Sequence, residues 1–283
     1  MAAIQEKTAT FHGSDGTTLF FRQHIPENER FRVVISHGLG EHSGRYGHVA
    51  KTLCPMGGAL WIHDHRGHGQ SQGKRGHVNE FNDYVDDLKT FIEMAGADHP
   101  DRVPLLLLGH SMGGLIALSF ARQYPRLVDG LIVSSPLLGV PKPPSTVLTA
   151  IVRSLSIVWP TLTLNNKLNP AYISHDEAEV NAYVQSGRVH SKISARWFVA
   201  CMSEIEKTGG DFDAIRIPIL IQIAGNDRLV SAPAALAYFD ALTAADKTLF
   251  HYGDLYHEIY NERLPDREHV LEDLKQWVAD RYL

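Results

Sequence analysis

Leu105-Leu106-Leu107-Leu108-Gly109-His110-Ser111-Met112-Gly113-Gly114 is the stretch that decides the fold. Its four leucines predict a buried strand, and residues 115–124, which follow the glycines, read as a helix. A Gly-x-Ser-x-Gly sequence between a strand and a helix is typical of a sharp turn that exposes the serine hydroxyl above a sheet. Gly109 and Gly113 suit that turn because it leaves no room for flanking side chains. We therefore predict that Ser111 is a nucleophile; the alternative is a glycine-rich turn with a helix-capping serine.

Composition narrows the class of protein. The 283 residues are 44% hydrophobic, which is enough for one large core, or for one core with an inserted cap. Net charge is −5 and no basic run occurs, so nucleic-acid binding is not predicted. Cys54 and Cys201 are too few for a disulfide framework, and we expect two free thiols in a reducing compartment. Residues 1–10 are charged and no run of about 20 apolar residues occurs, so we expect a cytoplasmic protein without a signal peptide or a membrane-spanning helix.

Short apolar runs alternate with helical stretches along most of the chain. The apolar runs span residues 32–36, 59–62, 105–108, 130–134, 217–223 and 248–252, and two further strands are predicted near 8–12 and 17–22. The helical stretches span residues 48–53, 84–95, 115–124, 232–242 and 265–282. This alternation predicts an α/β fold, with a mostly parallel eight-stranded sheet and helices on both faces. Such sheets bind ligands at the carboxyl ends of their strands.

Residues 138–210 interrupt the alternation. They contain no continuous apolar strand, but an apolar helical stretch at 147–159 and polar helices between 176 and 207. We interpret this segment as a helical cap, or lid, inserted over the strand ends. Residues 1–137 and 211–283 then form the core. The alternative is a set of ordinary packing helices.

A serine nucleophile needs a general base, and the base needs an orienting carboxylate. With this type of turn, the expected chain order is Ser, then Asp or Glu, then His. Asp227 is the best candidate acid because it lies in the loop after the late buried strand at 217–223. Asp211 and Asp213 come before that strand and would lie at the opposite end of the sheet.

His257 is the best candidate base. It follows the last predicted strand in a loop, whereas His251 lies within that strand and His269 lies in the final helix. The tetrahedral intermediate also needs two N–H donors. We expect these oxyanion-hole donors to be the backbone N–H of Met112 and that of Leu39, in the turn at 37–40.

His63, His65 and His68 lie close together in the sequence with Asp64, a composition that occurs in zinc sites. We interpret the segment instead as a turn in which Asp64 and Arg66 tie neighbouring loops together. No metal is predicted. Because the chain has no Gly-x-Gly-x-x-Gly sequence or P-loop, no nucleotide or other cofactor is predicted either.

Five segments together resemble the monoacylglycerol lipases and their bacterial lysophospholipase-like relatives. They are His37-Gly38-Leu39-Gly40-Glu41-His42-Ser43-Gly44-Arg45-Tyr46, Asp64-His65-Arg66-Gly67-His68-Gly69-Gln70-Ser71, Gly109-His110-Ser111-Met112-Gly113-Gly114, Ala224-Gly225-Asn226-Asp227-Arg228-Leu229-Val230 and Tyr256-His257-Glu258. The part from Glu41 to Tyr46 is the most discriminating. The resemblance implies an α/β-hydrolase with a helical cap that cleaves monoacylglycerols to fatty acid and glycerol through an acyl-enzyme.

The resemblance also assigns roles to single residues. Ser111, Asp227 and His257 fall on the family's catalytic triad, in agreement with the strand-end argument. Glu41 and Arg45, with Tyr183 in the cap, match a polar pocket for the glycerol end. The alternative for Glu41 and Arg45 is a salt bridge that holds the oxyanion turn, and the two interpretations are compatible.

The expected ligand is a small lipid ester. We expect residues 147–159, with Leu137 and Leu138, to line an acyl tunnel and to touch membrane surfaces peripherally. The alternatives left open are a lysophospholipase, a general carboxylesterase and, from another class, a non-catalytic ligand sensor on the same scaffold. No oligomeric state is predicted.

Overall fold

The computed structural model describes residues 4–97 and 102–283, so residues 1–3 of the N-terminal stretch lie outside the described residues. The strands are β1 (Gln5–His12), β2 (Thr18–Ile25), β3 (Phe31–Ser36), β4 (Gly58–His63), β5 (Leu105–His110), β6 (Gly130–Ser134), β7 (Thr163–Asn165), β8 (Lys192–Ser194), β9 (Ile219–Ala224) and β10 (Lys247–Tyr252). The helices are α1 (Gly47–Leu53), α2 (Asn82–Ala97), α3 (Met112–Gln123), α4 (Thr146–Val158), α5 (Glu177–Gln185), α6 (Ala195–Thr208), α7 (Ala232–Ala241) and α8 (Asp266–Tyr282).

Eight strands form one sheet in the order β1-β2-β4-β3-β5-β6-β9-β10. β1 and β2 pair antiparallel, as do β2 and β4, and every other neighbouring pair is parallel. The prediction of a mostly parallel eight-stranded sheet is therefore confirmed. Because the strands run parallel, the loops after β3, β5, β9 and β10 all emerge at the same edge of the sheet.

The central strands are apolar throughout because both of their faces are covered. Val34 and Leu107 project to the face that α2 and α3 cover. Val33, Ile35 and Leu108 project to the opposite face, which packs against α1 and α8. Because side chains alternate along each strand, every central strand contributes to two separate cores, one on each side of the sheet.

The segment between β6 and β9 contains α4, α5 and α6 and a two-stranded sheet that the sequence did not reveal. β7 and β8 pair antiparallel, with Leu164 opposite Ile193. Each has three residues, too few for alternation to be recognised. The N–H of Ser194 donates to the Gly76 carbonyl at 2.7 Å, which ties this small sheet to the loop that precedes α2.

Helix α6 is docked on α3 of the main core through a buried carboxylate. Glu204 accepts a hydrogen bond from the Ser119 hydroxyl at 2.6 Å and from the Arg122 guanidinium at 2.7 Å. A buried carboxylate is tolerated when it is paired in this way, so the contact selects one position of α6. In the described ranges, no helix is both long enough and apolar enough to cross a membrane.

Candidate active site

Ser111 occupies the turn between β5 and α3 with φ 55° and ψ −118°. A positive φ is costly for a residue with a side chain, so the neighbouring structure has to hold the turn. The Ser111 N–H donates to the Ser134 carbonyl at 3.0 Å, and the Leu137 N–H donates to the Ser111 carbonyl at 3.0 Å. The turn is therefore anchored to β6 and to the chain that follows it.

The two glycines around Ser111 are required by close packing of the backbone. A Cβ atom on Gly113 would overlap the carbonyl oxygen of Ser36 at the end of β3. A Cβ atom on Gly109 would overlap the carbonyl oxygen of Gly113. The Gly-x-Ser-x-Gly spacing thus allows α3 to begin directly against β3.

We expect Gly113→Ala to lower the free energy of unfolding by at least about 3 kcal/mol, because the new methyl group meets backbone that cannot move aside. Urea denaturation followed by circular dichroism measures the change. Gly96→Ala in α2 is the matched control, since a Cβ atom there meets no neighbour and alanine favours a helix. An unchanged unfolding midpoint for Gly113→Ala would show that the turn relaxes.

His257 and Asp227 are joined by a short hydrogen bond. Nδ1 of His257 donates to Oδ2 of Asp227 at 2.6 Å. Oδ1 of the same carboxylate accepts the N–H groups of Leu229 at 2.8 Å and Val230 at 2.9 Å, so the loop after β9 holds its orientation. With its proton on Nδ1, the imidazole has Nε2 available as a base. Ser111 and His257 line the same cavity, and the rings of His110 and His257 lie 4.7 Å apart.

Two opposing effects set the pKa of His257. Burial favours the neutral ring, but the carboxylate of Asp227, its hydrogen bond, and the charges of Glu258 and Glu41 favour the imidazolium. The net result is a pKa above the ordinary value for histidine. A base must be neutral to accept a proton, so this shift matters for the pH dependence of turnover.

We expect kcat/KM to fall on acidification through a midpoint above about 6.5, the ordinary histidine pKa, because the imidazolium cannot accept the serine proton. A pH–rate profile with a soluble ester, corrected for spontaneous hydrolysis, measures the midpoint. All points are measured at constant ionic strength, because salt screens the charges that set the pKa of His257. A midpoint well below 6 would contradict the raised pKa of His257.

Arg45 is buried between two carboxylates beside His257. Its guanidinium contacts the carboxylate of Glu258 and lies 3.4 Å from Oε2 of Glu41. It also lies over the ring of Tyr183, 5.1 Å from the centroid. Glu41, Tyr183 and Glu258 line the cavity, whereas Arg45 lies behind them. Glu258 was not singled out from the sequence, although it follows His257 directly, because its partner is 213 residues away.

Glu41 anchors the turn at 37–40, which carries the predicted oxyanion-hole donor Leu39. Its Oε1 accepts the Gly38 N–H at 2.5 Å and the Tyr46 hydroxyl at 2.9 Å. Burial and the nearby charge of Glu258 raise the pKa of Glu41 to about 7, against the opposing effect of Arg45. The salt bridge suggested by the sequence is therefore present, and it braces the turn that carries Leu39.

The turn at 37–40 is also braced from the side by His37. Nδ1 of His37 donates to the Gly38 carbonyl at 2.8 Å, and its Nε2 accepts the His65 N–H at 3.0 Å. Within the described residues, neither the Leu39 N–H nor the Met112 N–H has an acceptor. Both donors predicted for the oxyanion hole are thus unused.

The histidines near His65 pack against one another. The His63 and His65 rings meet edge to face at 4.6 Å, and burial lowers the pKa of both. Asp64 accepts the N–H groups of Ser43 at 2.7 Å and Gln70 at 2.8 Å, as expected for a residue that ties loops together. In the described part of the chain, no group of three or more His, Cys, Asp or Glu residues is placed to hold a metal.

Above Ser111 lies a cavity of about 1170 Å³ between the sheet edge and the segment 138–210. Much of its wall is apolar, and α6 supplies a large part of it with Trp197, Phe198, Cys201, Met202 and Ile205.

The prediction that residues 147–159 line this cavity is wrong for most of that helix. Leu137 and Leu148 line it, but Ile157 and Val158 are 79% and 83% exposed. The reason is that α4 packs on α6 with one side only, which leaves its other apolar side facing outwards.

Comparison with known proteins agrees with this geometry. The family model described as Serine aminopeptidase, S33 matches residues 27–264. The chain belongs to this family of α/β-hydrolases. The resemblance to monoacylglycerol lipases is also confirmed. The monoacylglycerol lipase of Mycolicibacterium smegmatis is 32% identical over 99% of both chains.

Two further relatives extend the comparison. Phospholipase YtpA of Bacillus subtilis is 30% identical over 89% of this chain and 95% of its own. The crystal structure of the Paleococcus ferrophilus monoacylglycerol lipase superposes with a TM-score of 0.82 at 29% identity, covering 98% of this chain and 99% of that one. The family and the fold together make this chain a serine ester hydrolase.

Proposed function

We propose that this protein hydrolyses monoacylglycerols to a free fatty acid and glycerol, with Ser111, His257 and Asp227 as its catalytic triad. One observation carries the proposal. A strained serine and a carboxylate-bound histidine open onto a single large cavity whose wall is mostly apolar. The named monoacylglycerol lipases among the relatives support the choice of ester.

The proposed reaction has two steps. His257 removes the proton of Ser111, whose oxygen attacks the ester carbonyl, while the N–H groups of Leu39 and Met112 stabilise the oxyanion. His257 then protonates the departing glycerol, which leaves an acyl-enzyme. In the second step His257 takes a proton from water, whose oxygen attacks the acyl carbonyl. The bond from the acyl carbon to the oxygen of Ser111 then breaks, His257 returns the proton to that oxygen, and the fatty acid departs. Asp227 keeps the imidazole in the correct tautomer and stabilises its charged form.

In this proposal the glycerol end lies near Glu41 and Tyr183, which line the same cavity as His257. Arg45 acts through Glu41, since it lies behind the cavity wall. The acyl chain lies along the apolar wall that α6 provides.

We also propose that residues 138–210 form a cap whose outer surface meets a lipid interface peripherally. The outward side of α4 carries Val147, Ile151, Ile157 and Val158, and Trp159 follows it, all more than half exposed. Apolar and aromatic side chains on the outside of a helix are the features that let a helix lie in a membrane interface. A cap in contact with lipid would allow the ester to pass from the lipid layer directly into the cavity.

A substrate panel tests the proposed ester. We expect kcat/KM for 1-oleoylglycerol to exceed that for p-nitrophenyl butyrate and for oleoyl lysophosphatidylcholine by at least tenfold. Glu41→Gln should reduce the first rate more than the second, because only the first substrate has a glycerol end. Equal rates would favour a general carboxylesterase, and a higher rate on the lysophospholipid would favour a lysophospholipase.

The non-catalytic alternative needs a different measurement. A fluorophosphonate probe forms a covalent bond only with an activated serine, so it should label the folded protein at Ser111. Ser191→Ala removes another hydroxyl bordering the cavity, and the probe should label this variant as strongly as it labels the parent. Folded protein that resists the probe would favour a ligand sensor.

A further inference from the structure

The side chains that border the cavity carry more positive than negative charge. Its two carboxylates, Glu41 and Glu258, are both engaged by Arg45. The cations that border it are Arg75, Lys142, Lys167, Lys192 and Arg228. Across residues 4–97 and 102–283, no carboxylate lies within 4.0 Å of any of these five. The chain as a whole carries a net charge of −5, so this surplus of positive charge is local.

Arg75 is the member of this group that lies deepest. Its Nη2 donates to the Gly69 carbonyl at 2.6 Å, and its Nη1 is covered from solvent and has no hydrogen-bonding partner among the described residues. A covered N–H group without an acceptor is costly, because it has lost its water and gained no partner. An anion in the cavity that drew the Arg75 side chain towards it would give this N–H group a partner.

His190 connects the turn at 37–40 with Lys192 and is near enough to Arg75 to feel its charge. The His190 N–H donates to the Gly40 carbonyl at 3.0 Å, and the Lys192 N–H donates to Nδ1 of His190 at 3.2 Å. Burial and the charge of Arg75 lower the pKa of His190 to about 4, which keeps the ring neutral between the two cations. We call Arg75, His190 and Lys192 the basic wall.

We propose that the basic wall binds the anionic group of a single-chain amphiphile, a phosphate or a carboxylate, inside the cavity. The guanidinium fork of arginine matches both anions with paired N–H donors. The inference rests on the proposed function only in taking the cavity as the acyl site. A neutral monoacylglycerol gives these cations no partner, so the anion comes either from the fatty acid product or from a substrate with a phosphate on its polar end.

Direct binding tests the basic wall without depending on turnover. Isothermal titration calorimetry on the full chain carrying Ser111→Ala would compare decyl phosphate, decanoate and decanol, all below micelle-forming concentrations. We expect at least one anion to bind about tenfold more tightly than decanol, as for a hydrogen bond to a charged group. Tighter decyl phosphate would assign the wall to a phosphate headgroup, and tighter decanoate would assign it to the product. Binding of inorganic phosphate alone would show that the wall recognises the anion without its chain.

Substitutions test whether the basic wall is responsible for the preference for anions. In the same background, Arg75→Met and Lys192→Met should each reduce the preference for the anion over decanol to about threefold or less. Lys51→Met, on an exposed residue of α1 outside the cavity, should leave the preference unchanged. The unfolding temperature checks each variant, and the exposed Lys192 carries the test if Arg75→Met fails to fold.

Two results would overturn the inference. One is equal affinity for decanol and both anions. The other is an equal loss in Lys51→Met and in the two wall variants. Neither result bears on ester hydrolysis, whose failure would appear separately in the substrate panel.

Discussion

Ser111→Ala is expected to lower kcat by about 10⁴- to 10⁶-fold while the protein stays folded. The covalent step needs an oxygen at this position, and alanine removes it without touching the backbone bonds that hold the turn. The remaining rate should come only from binding and from the N–H groups of Leu39 and Met112. Hydrolysis of 1-oleoylglycerol at saturating substrate measures the loss.

The matched control for this variant is Ser191→Ala. Ser191 also borders the cavity, so its replacement should change kcat by less than about twofold. Activity of Ser111→Ala within tenfold of the parent would eliminate the serine mechanism. Alanine also removes a buried polar group from the turn. We therefore expect the thermal unfolding temperature of Ser111→Ala to be no lower than that of the parent.

Asp227→Asn is expected to lower kcat by about 10⁴-fold. The amide oxygen can still accept the N–H groups of Leu229 and Val230, so the loop should keep its shape. The amide nitrogen would then face Nδ1 of His257, and the imidazole would have to place its proton on Nε2. That tautomer cannot accept the proton of Ser111.

A second consequence separates Asp227→Asn from simple misfolding. Removing the carboxylate removes the main charge that raises the pKa of His257, so the acid midpoint of the pH–rate profile should move to lower pH. Asp213→Asn is the control, since Asp213 binds the Thr243 hydroxyl at 2.7 Å and lies before β9. Equal activity losses in the two variants would remove Asp227 from the proposed triad.

Much of the architecture could be predicted from local pattern. The apolar runs at 32–36, 105–108 and 130–134 lie within or coincide with β3, β5 and β6, because a strand covered on both faces has to be apolar along its length. The positions of Asp227 and His257 followed from the same logic, since parallel strands bring their following loops to one edge.

Other features depended on contacts between residues distant in sequence. Glu258 meets Arg45 across 213 positions, and no periodicity connects them. The apolar stretch at 147–159 looked like a cavity wall, yet α6 takes that place and much of α4 faces outwards. Hydrophobicity alone specifies that a side chain prefers burial, and it does not specify which neighbour covers it.

The sequence by itself determined the sheet, the turn at Ser111 and the order of the candidate triad, because each depends on residues adjacent in the chain or on strand direction. Only the tertiary structure decided which helix lines the cavity and that Arg45 lies behind it. It alone also placed five cations without carboxylate partners around the cavity within the described chain. Burial and charge balance are properties of a completed packing arrangement, and no segment carries them before the chain has folded.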